Sequence, residues 1–447
     1  MSTRNCVRSR LKDFIASATE FVALVETGGI AFSNGYCFEL VKNDVGSLGF
    51  LDSKSREFQE RINFAGQEFV PPKLAPSVLE AVTLPTKRID CGSTVQMFSR
   101  IYSLFIGYGF SEDVSQASTY FVLASWFPES LPVAPCLILS GTEAEARVVL
   151  ELLMCLVRHA LPLAEINLDV FDCLPMHIQP TMLISRVDSS MWRVLTASNY
   201  LHAYLPNKKG LTDLYCAKAA YAGPTLAEVG DNAILNIHCT PNGGRLPVIN
   251  AAKLEEIAAD LQPRLLDYRF KYIAQVRQAD FDAPTLPTPL RMMARALGAC
   301  IVDKPELQVE IVRLLESQAE LLRASRMMDP NFVAIEALLT HCHGENGPIR
   351  VGVNEVAATA TSILTDRGET AAFESKRMGG QLRQLGFCPK RDSQGFAIHL
   401  TADVRRLTHR LARDHQDGES EQAVPGCPEC AEGTSAQAGR SSWGAQI

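Results

Sequence analysis

The sequence predicts an α/β protein whose core is a parallel sheet, preceded by a small α+β region and followed by a small domain of helices and a hairpin. From Gly92 onward, long helical patterns are separated by short apolar runs, and this alternation is typical of a parallel sheet. Residues 36–41 and 49–51 are instead short apolar runs between glycines, which indicates strands and turns. Residues 387–400 form two short strand patterns around a Ser-Gln-Gly turn.

Composition limits the classes of function. The chain has 447 residues, 47% of them hydrophobic, which predicts two to four domains with substantial cores. A net charge of −7 gives no global attraction to nucleic acid or anionic lipid, so any basic surface must be local. No apolar run reaches the roughly 18–20 residues of a membrane span, and no signal peptide is evident at the N-terminus. The 13 scattered cysteines, several inside apolar runs, favour a reducing compartment, and we expect a cytoplasmic protein without membrane partners.

Shifts in composition divide the chain into six predicted segments. An amphipathic stretch at Phe14–Val25 belongs to the first segment, a proline-bearing stretch follows it, and Asp329-Pro330 forms a natural boundary. Beyond His415 large apolar residues almost disappear, which predicts disorder. The segments are an α+β domain over 1–70, a linker over 71–91, the core over 92–275, a helical connector over 276–329, a C-terminal domain over 330–415 and a disordered tail over 416–447.

The core contains the most informative stretch of the chain. An apolar strand at 135–139 runs into Ser140 and Gly141, and a helix with leucines at helical spacing follows. Strand, loop and helix in this order are the context that a phosphate-binding loop requires. Further strands are predicted at 179–186, 214–223 and 232–238, and a helix from Pro263 onward.

This succession of strands resembles the ATPase core of phage-type primase-helicases and related AAA-like proteins over about residues 92–275. The resemblance implies a P-loop NTPase-like fold with a site for ATP and magnesium. The family loop G-x-x-x-x-G-K-[ST] aligns with residues 141–148, but only its first glycine, Gly141, is kept. Ala146 adds a Cβ where backbone must approach phosphate, and Val148 lacks the hydroxyl that holds magnesium. Arg147 is the remaining candidate anion contact, and Glu143 and Glu145 place carboxylates in the predicted loop.

Two other ATPase elements are also missing. Residues 184–186 are Ile-Ser-Arg where the family strand ends in Asp-Glu, with Asp188 two residues late, and residues 230–232 lack the expected arginine. The sequence therefore predicts a scaffold that is not an enzyme and has no cofactor, with Gly141 and Arg147 as weak nucleotide contacts. Two alternatives stay open, namely an ATPase of unusual motif that binds ATP and magnesium, and an ordinary strand–helix unit in which Gly141 ends a strand.

Residues 331–415 predict helix, strand, helix, helix, hairpin and helix, which is a winged-helix arrangement. The elements are predicted at 332–342, 349–353, 355–366 with Asn354 as its cap, 374–385 with Gly386 at its C-terminus, and 387–400. The pattern also resembles the C-terminal module of the same primase-helicase-like proteins. In such a module the 374–385 helix enters a nucleic-acid groove and the hairpin touches the backbone.

The charge of this module predicts a nucleic-acid contact. Between residues 374 and 413, nine lysines and arginines stand against three acidic residues in an otherwise acidic chain. We expect DNA or RNA phosphates as partners, and the alternative is a protein-interaction adaptor or self-association without a nucleic-acid role. The candidate contacts are Lys376, Arg377 and Arg383 on the helix and Lys390 and Arg391 in the hairpin, with Arg405, Arg406, Arg410 and Arg413 behind them.

Cysteine and histidine patterns give little support for a metal site. Cys427 and Cys430 have the spacing of half a zinc knuckle, but no second cysteine pair follows, and His409 and His415 are the nearest further ligands. A free dithiol is the default interpretation, so no metal is predicted. In His341-Cys342-His343 the two histidines, at i and i+2, do not share a helix face, and we expect them to be satisfied at the end of a helix.

Overall fold

The computed structural model divides into two compact units, residues 1–315 and residues 316–447. The six-segment organisation given above stays a prediction, and none of the described helices is both long and apolar enough to cross a membrane. The structure describes residues 23–167, 171, 173–187, 191–207, 210–223, 233–243, 246–326, 328–343, 349–370, 372–393, 395–415, 427 and 430.

The N-terminal part of the first unit is built from two small sheets. The strands predicted at 36–41 and 49–51 are confirmed as β3 and β4, whereas most of the Phe14–Val25 stretch lies outside the described residues. Aromatic rings fill the space between the sheets, and Leu161 and Ile178 from the following domain complete this core. The sheets have the orders β1-β6-β5 and β2-β3-β4, with β1 Ala23–Glu26, β2 Gly29–Ala31, β3 Cys37–Lys42, β4 Leu48–Asp52, β5 Ile62–Phe64 and β6 Gln67–Val70.

The centre of the first unit is the predicted parallel sheet, with five strands in the order β13-β7-β12-β9-β8. Every neighbouring pair is parallel. The sequence missed β8 because Pro162 lies inside it, and proline is tolerated there since β8 is an edge strand. The strands are β7 Cys136–Gly141, β8 Ala160–Leu163, β9 Thr181–Ile184, β12 Lys218–Gly223 and β13 Leu235–Cys239, and a separate hairpin pairs β10 Tyr204–Asn207 with β11 Gly210–Asp213.

Helices cover the sheet and extend beyond it. The helix predicted from Pro263 begins earlier, at Ala251, because Asn250 caps it by accepting from the Lys253 N–H, and Pro263 lies inside. The long helical patterns that begin after Gly92 are confirmed, the first of them over residues 94–107. The helices are α1 Pro76–Ala81, α2 Thr94–Gly107, α3 Glu112–Ser125, α4 Glu143–Met154, α5 Trp192–Ala197, α6 Ala251–Gln278, α7 Thr288–Ala299 and α8 Pro305–Arg326, the last of which crosses the boundary between the units.

The second unit has the predicted order of elements. A core that includes Val333, Leu338 and Met378 joins its helices to a three-stranded antiparallel sheet of order β14-β16-β15. Asn354 is not the helix cap, because the helix begins one residue before it, at Val353, and Gly352 is the N-cap. The elements are α9 Pro330–Cys342, β14 Arg350–Gly352, α10 Val353–Asp366, α11 Ser375–Gln384, β15 Lys390–Asp392, β16 Gly395–His399 and α12 Ala402–His415. The predicted disorder of 416–447 lies outside the described residues except at Cys427 and Cys430.

Candidate nucleic-acid interface

The strand-to-helix turn after β7 is too short for a phosphate-binding loop. Gly141 is the last residue of β7, Thr142 is the N-cap, and α4 begins at Glu143. Thr142 and Glu145 form a capping box, in which the Thr142 hydroxyl accepts from the Glu145 N–H and the Glu145 carboxylate accepts from the Thr142 N–H, both at 3.3 Å. Residues 143–148, which the family pattern placed in a loop, are therefore helical. One of the N–H groups at the helix N-terminus, that of Glu145, is therefore bonded by the protein's own Thr142 hydroxyl, and the Glu145 carboxylate places negative charge beside it.

Gly141 is explained by packing against the neighbouring strand. Its φ of +114° is unfavourable for any residue with a side chain, and a Cβ there would lie 3.0 Å from the Cys239 carbonyl oxygen of β13. The Tyr221 hydroxyl donates to the Gly141 carbonyl at 3.0 Å. The glycine thus serves the close approach of β7, β12 and β13.

Arg147 lies on the exposed side of α4. Its side chain is 77% exposed and pairs with Glu151 at 3.0 Å. Both residues line a cavity of about 350 Å³ beside the sheet, together with Glu143, Ser185 and Tyr221. The described residues directly after β9, 185–187, contain no carboxylate, and Asp188 and residues 230–232 lie outside the described part of the chain.

A buried charge cluster, which the sequence did not reveal, lies elsewhere in the first unit. Glu39 of β3 pairs with Arg158 at 2.8 Å and with Arg269 of α6 at 2.6 Å, and all three side chains are at most 1% exposed. Arg269 also pairs with Glu129, so two guanidinium groups balance two carboxylates. Burial acts to raise the pKa of Glu39, but Arg158 and Arg269 outweigh it and hold that pKa well below its usual range. The balance of charge indicates a structural role that joins β3 to the parallel-sheet domain.

In the second unit the five predicted nucleic-acid contacts are all exposed. Helix α11 buries Met378, Gly379 and Leu382 against the core, which leaves its other side free. The exposed residues are Lys376, Arg377 and Arg383 on α11, and Lys390 and Arg391 on β15.

The structure joins three of these residues into one surface around an aromatic ring. The Arg383 guanidinium lies over the Phe396 ring, 5.5 Å from its centroid, and Phe396 is 46% exposed. Arg391 stands directly opposite Phe396 in the β15–β16 ladder, and opposite residues of an antiparallel pair share a face. Lys376 precedes Arg383 by seven positions and so lies on the same side of α11. We call Lys376, Arg383, Arg391 and Phe396 the basic face.

Arg377 and Lys390 lie apart from the basic face. Arg377 lies over Phe373, 5.7 Å from the ring centroid, and lines a groove of about 280 Å³. Lys390 is opposite Ala397, which is buried, so it belongs to the other side of the hairpin.

Two of the four α12 arginines that the sequence placed behind the site, Arg405 and Arg406, have local partners. Arg405 donates to the backbone carbonyls of Leu400 and Cys342, and Arg406 pairs with Asp403 at 3.3 Å. Arg405 thus ties α12 to the preceding elements of its unit, whereas Arg406 pairs within α12 and Arg410 is exposed.

Cys427 and Cys430 are not an isolated pair. The Cys427 sulfur is 3.3 Å from Nε2 of His409, and the Cys430 sulfur is 3.3 Å from Nε2 of His343. Their ligand atoms form one group in which every pair is within 4.8 Å. The sequence named His409 correctly as a neighbour. It missed His343, which joins this group instead of being satisfied by the helix end, whereas His341 points away to the Thr359 hydroxyl at 3.0 Å.

Comparisons with known proteins give weak structural neighbours. No protein-family model matches the chain, and no curated protein matches it. Two apo structures of the C-terminal region of NrS-1 align with 9% and 10% identity and TM-scores of 0.32 and 0.34, covering 81% of this chain and 96% of theirs. A structure of Drosophila ORC bound to DNA aligns with 13% identity and a TM-score of 0.15, covering 80% of this chain and 96% of its own. At these scores the similarity supports no argument about function, which rests on the residues.

Proposed function

We propose that this chain is a nonenzymatic nucleic-acid-associated protein whose second unit is a winged-helix module that contacts the phosphate backbone of DNA or RNA through the basic face. The observation that carries the proposal is the contact between Arg383 and Phe396, because it joins the exposed side of α11 to the hairpin as one continuous surface.

The order of elements supports the winged-helix assignment. Helix α9 and strand β14 precede two helices, α10 and α11, and the β15–β16 hairpin follows. In modules of this kind the last helix before the hairpin enters a groove while the flanking elements contact the backbone. Lys376 and Arg383 are then directed at the groove walls, and Arg391 at the adjoining backbone.

The chemistry of the basic face fits a nucleic acid better than a generic acidic surface. Lysine and arginine contacts to phosphate release counterions and give affinity without sequence information. An exposed ring among cations adds a platform on which a base stacks, and base–aromatic stacking tolerates any sequence. Phe396 supplies this platform beside Arg383 and opposite Arg391.

The first unit serves, in this proposal, as a scaffold derived from a primase-helicase-like ATPase. The strand–helix alternation and the parallel sheet support the derivation. Loss of enzymatic activity is supported by the single residue, Thr142, between β7 and α4, which leaves no loop to surround a triphosphate, and by the Glu145 carboxylate at the helix N-terminus. The alternative, an ATPase of unusual motif, requires magnesium-dependent hydrolysis.

The test measures binding of the full chain to labelled duplex DNA, single-stranded DNA and RNA by fluorescence anisotropy across a salt series. A triple variant replaces Lys376, Arg383 and Arg391 with alanine. We expect at least one nucleic acid to bind with an affinity that falls steeply with salt. In the triple variant the slope of log affinity against log salt should be smaller in magnitude by about 2–3, since each lost phosphate contact removes about one unit.

A matched control replaces Arg56, Arg61 and Arg100, exposed arginines of the first unit, with alanine, and therefore changes net charge equally. This control should bind as the wild type does. Equal losses in the two triple variants would contradict the assignment of the basic face, and absence of binding to every nucleic acid would favour the adaptor alternative. Magnesium-dependent ATP hydrolysis that Arg147→Ala abolishes would overturn the nonenzymatic assignment.

A further inference from the structure

Four side chains of the kinds that bind zinc converge in the second unit, and the function proposed above does not use them. They come from the C-terminal end of α9 (His343), from α12 (His409) and from a Cys-x-x-Cys segment beyond it (Cys427 and Cys430). His409 is 66 residues after His343 in the sequence, and Cys430 is 87 residues after it. Only the fold brings them together.

The separations of the ligand atoms fit one tetrahedral ion. Zinc binds imidazole nitrogen at about 2.0–2.1 Å and thiolate sulfur at about 2.3 Å, so tetrahedral ligand atoms lie about 3.3–3.8 Å apart. Nε2 of His343 is 3.0 Å from Nε2 of His409, and the two measured sulfur–nitrogen separations are both 3.3 Å. These three separations need shifts of only a few tenths of an ångström, and the remaining three are all within 4.8 Å.

A hydrogen bond to the backbone fixes the tautomer of His409 that can bind a metal. Its Nδ1 lies 2.8 Å from the Arg405 carbonyl oxygen, and because a carbonyl only accepts, Nδ1 must carry the proton. Nε2 is then left with a lone pair directed into the cluster. Hydrogen bonding of the second ring nitrogen to a carbonyl is the usual way in which proteins orient a metal-bound histidine. The guanidinium of Arg405 in turn bonds the Cys342 carbonyl, next to His343.

The type and burial of the ligands decide the metal and its role. Two thiolates and two imidazoles in a tetrahedral arrangement are typical of zinc. His409 and Cys430 are buried, and Cys427 and His343 are half-buried. Four protein ligands leave no open coordination position, so such a site is structural and not catalytic.

We propose that His343, His409, Cys427 and Cys430 bind one structural zinc ion, which fastens the segment of Cys427 and Cys430 to α9 and α12. The predicted free dithiol is then a ligand pair. The proposal is independent of nucleic-acid binding, because none of these residues belongs to the basic face.

The test measures zinc in the purified full chain by elemental analysis, after equilibration with zinc under reducing conditions and dialysis. We expect about one equivalent per chain in the wild type and its loss in the Cys427→Ser/Cys430→Ser double variant. The control is Cys173→Ser/Cys388→Ser, since both of these cysteines are exposed and lie outside the cluster. Zinc retained by the double ligand variant, or absent from the wild type, would overturn the proposal.

A second measurement covers the case in which the double variant does not fold. Cobalt substituted into the wild type should give the intense visible bands of a tetrahedral site together with sulfur-to-cobalt charge transfer. His343→Ala should lose these bands, and His343→Cys, which replaces one ligand by another, should keep them with stronger charge transfer. A wild-type spectrum of six-coordinate cobalt without charge transfer would refute the site.

Discussion

Two sets of arginines show how differently the two units use charge. In the first unit Arg158 and Arg269 are at most 1% exposed and are neutralised by Glu39 and Glu129. In the second unit Arg383 and Arg391 are exposed, and the aromatic ring beside them is half exposed as well. Buried guanidinium groups are satisfied by carboxylates within the fold, whereas in the proposed function the exposed ones contact an external anion.

This difference in burial predicts different roles for the two sets of arginines. A buried, balanced cluster stabilises a fold mainly because removing one partner leaves a charge without compensation. An exposed cluster adds little stability, since surface ion pairs are worth about 0–1 kcal/mol. Stability measurements should therefore respond to the first set of arginines, and binding measurements to the second.

The largest expected effect is that of Glu39→Gln on the stability of the first unit. The substitution keeps the shape of the side chain but leaves Arg158 and Arg269 buried without a carboxylate between them, which costs about 3–5 kcal/mol. The measurement is urea unfolding followed by tryptophan fluorescence, because Trp126 is fully buried in this unit.

The control for this change is Arg147→Ala, which breaks an ion pair whose arginine is 77% exposed. It should cost no more than about 0.5 kcal/mol. If the two variants unfold at the same urea concentration, the buried cluster does not stabilise the unit and the contrast between the two sets of arginines is lost.

Acid should destabilise the first unit by protonating the Glu39 carboxylate. The pKa of Glu39 is held below its usual range in the folded state, so the unfolded state binds the extra proton. The stabilisation is fully present above the ordinary glutamate pKa of about 4.3 and is lost as the pH falls below it. Unfolding midpoints measured from pH 7 to pH 3 should fall steeply in the wild type and less steeply in Glu39→Gln. Equal slopes would show that other groups control acid unfolding.

The next effect concerns the basic face and separates the contribution of its aromatic ring from that of its charges. Phe396→Ala removes a stacking platform and should weaken nucleic-acid binding by about 1–3 kcal/mol. Because no charge is lost, the salt slope should not change, whereas Arg391→Ala should reduce the magnitude of that slope by about one. Phe396→Tyr, which retains a ring, is the matched control. A change of slope in Phe396→Ala would mean that the ring positions Arg383 instead of contacting a base.

Much of the architecture was predictable from the sequence, and the exceptions have physical reasons. Apolar runs identified β7 and β9, whose residues are all buried, because strands that are buried on both faces are continuously hydrophobic. Strands β12 and β13 were also predicted, although they are only partly buried and contain polar residues. Strand β8 was missed because Pro162 is allowed only where a strand has a free edge, and edge position is a property of the sheet.

The functional residues were predictable only in part. The capping box of Thr142 and Glu145 has the pattern T-x-x-E, which is visible in the sequence. The same residues also align with the family pattern of a phosphate-binding loop, which predicts a loop and not a helix. The partners of Glu39 are 119 and more residues away, so no local pattern contains them. The excess of basic residues was evident from composition, yet the strand register was needed to place Arg391, and not Lys390, beside Phe396.

The smallest expected effect is that of Thr142→Ala, and it tests whether the carboxyl edge of the parallel sheet is closed to anions. Loss of the hydroxyl frees the Glu145 N–H and should lower stability by about 1 kcal/mol, and Thr142→Ser should restore it. The melting temperature is measured with and without magnesium-ATP for all three proteins. ATP should leave each melting temperature unchanged, since a ligand that binds only the folded state would raise it. A rise in Thr142→Ala that is absent from the wild type and from Thr142→Ser would show that the Thr142 hydroxyl is what keeps an anion from the Glu145 N–H, whereas a rise in the wild type would show that this edge of the sheet is open to a nucleotide.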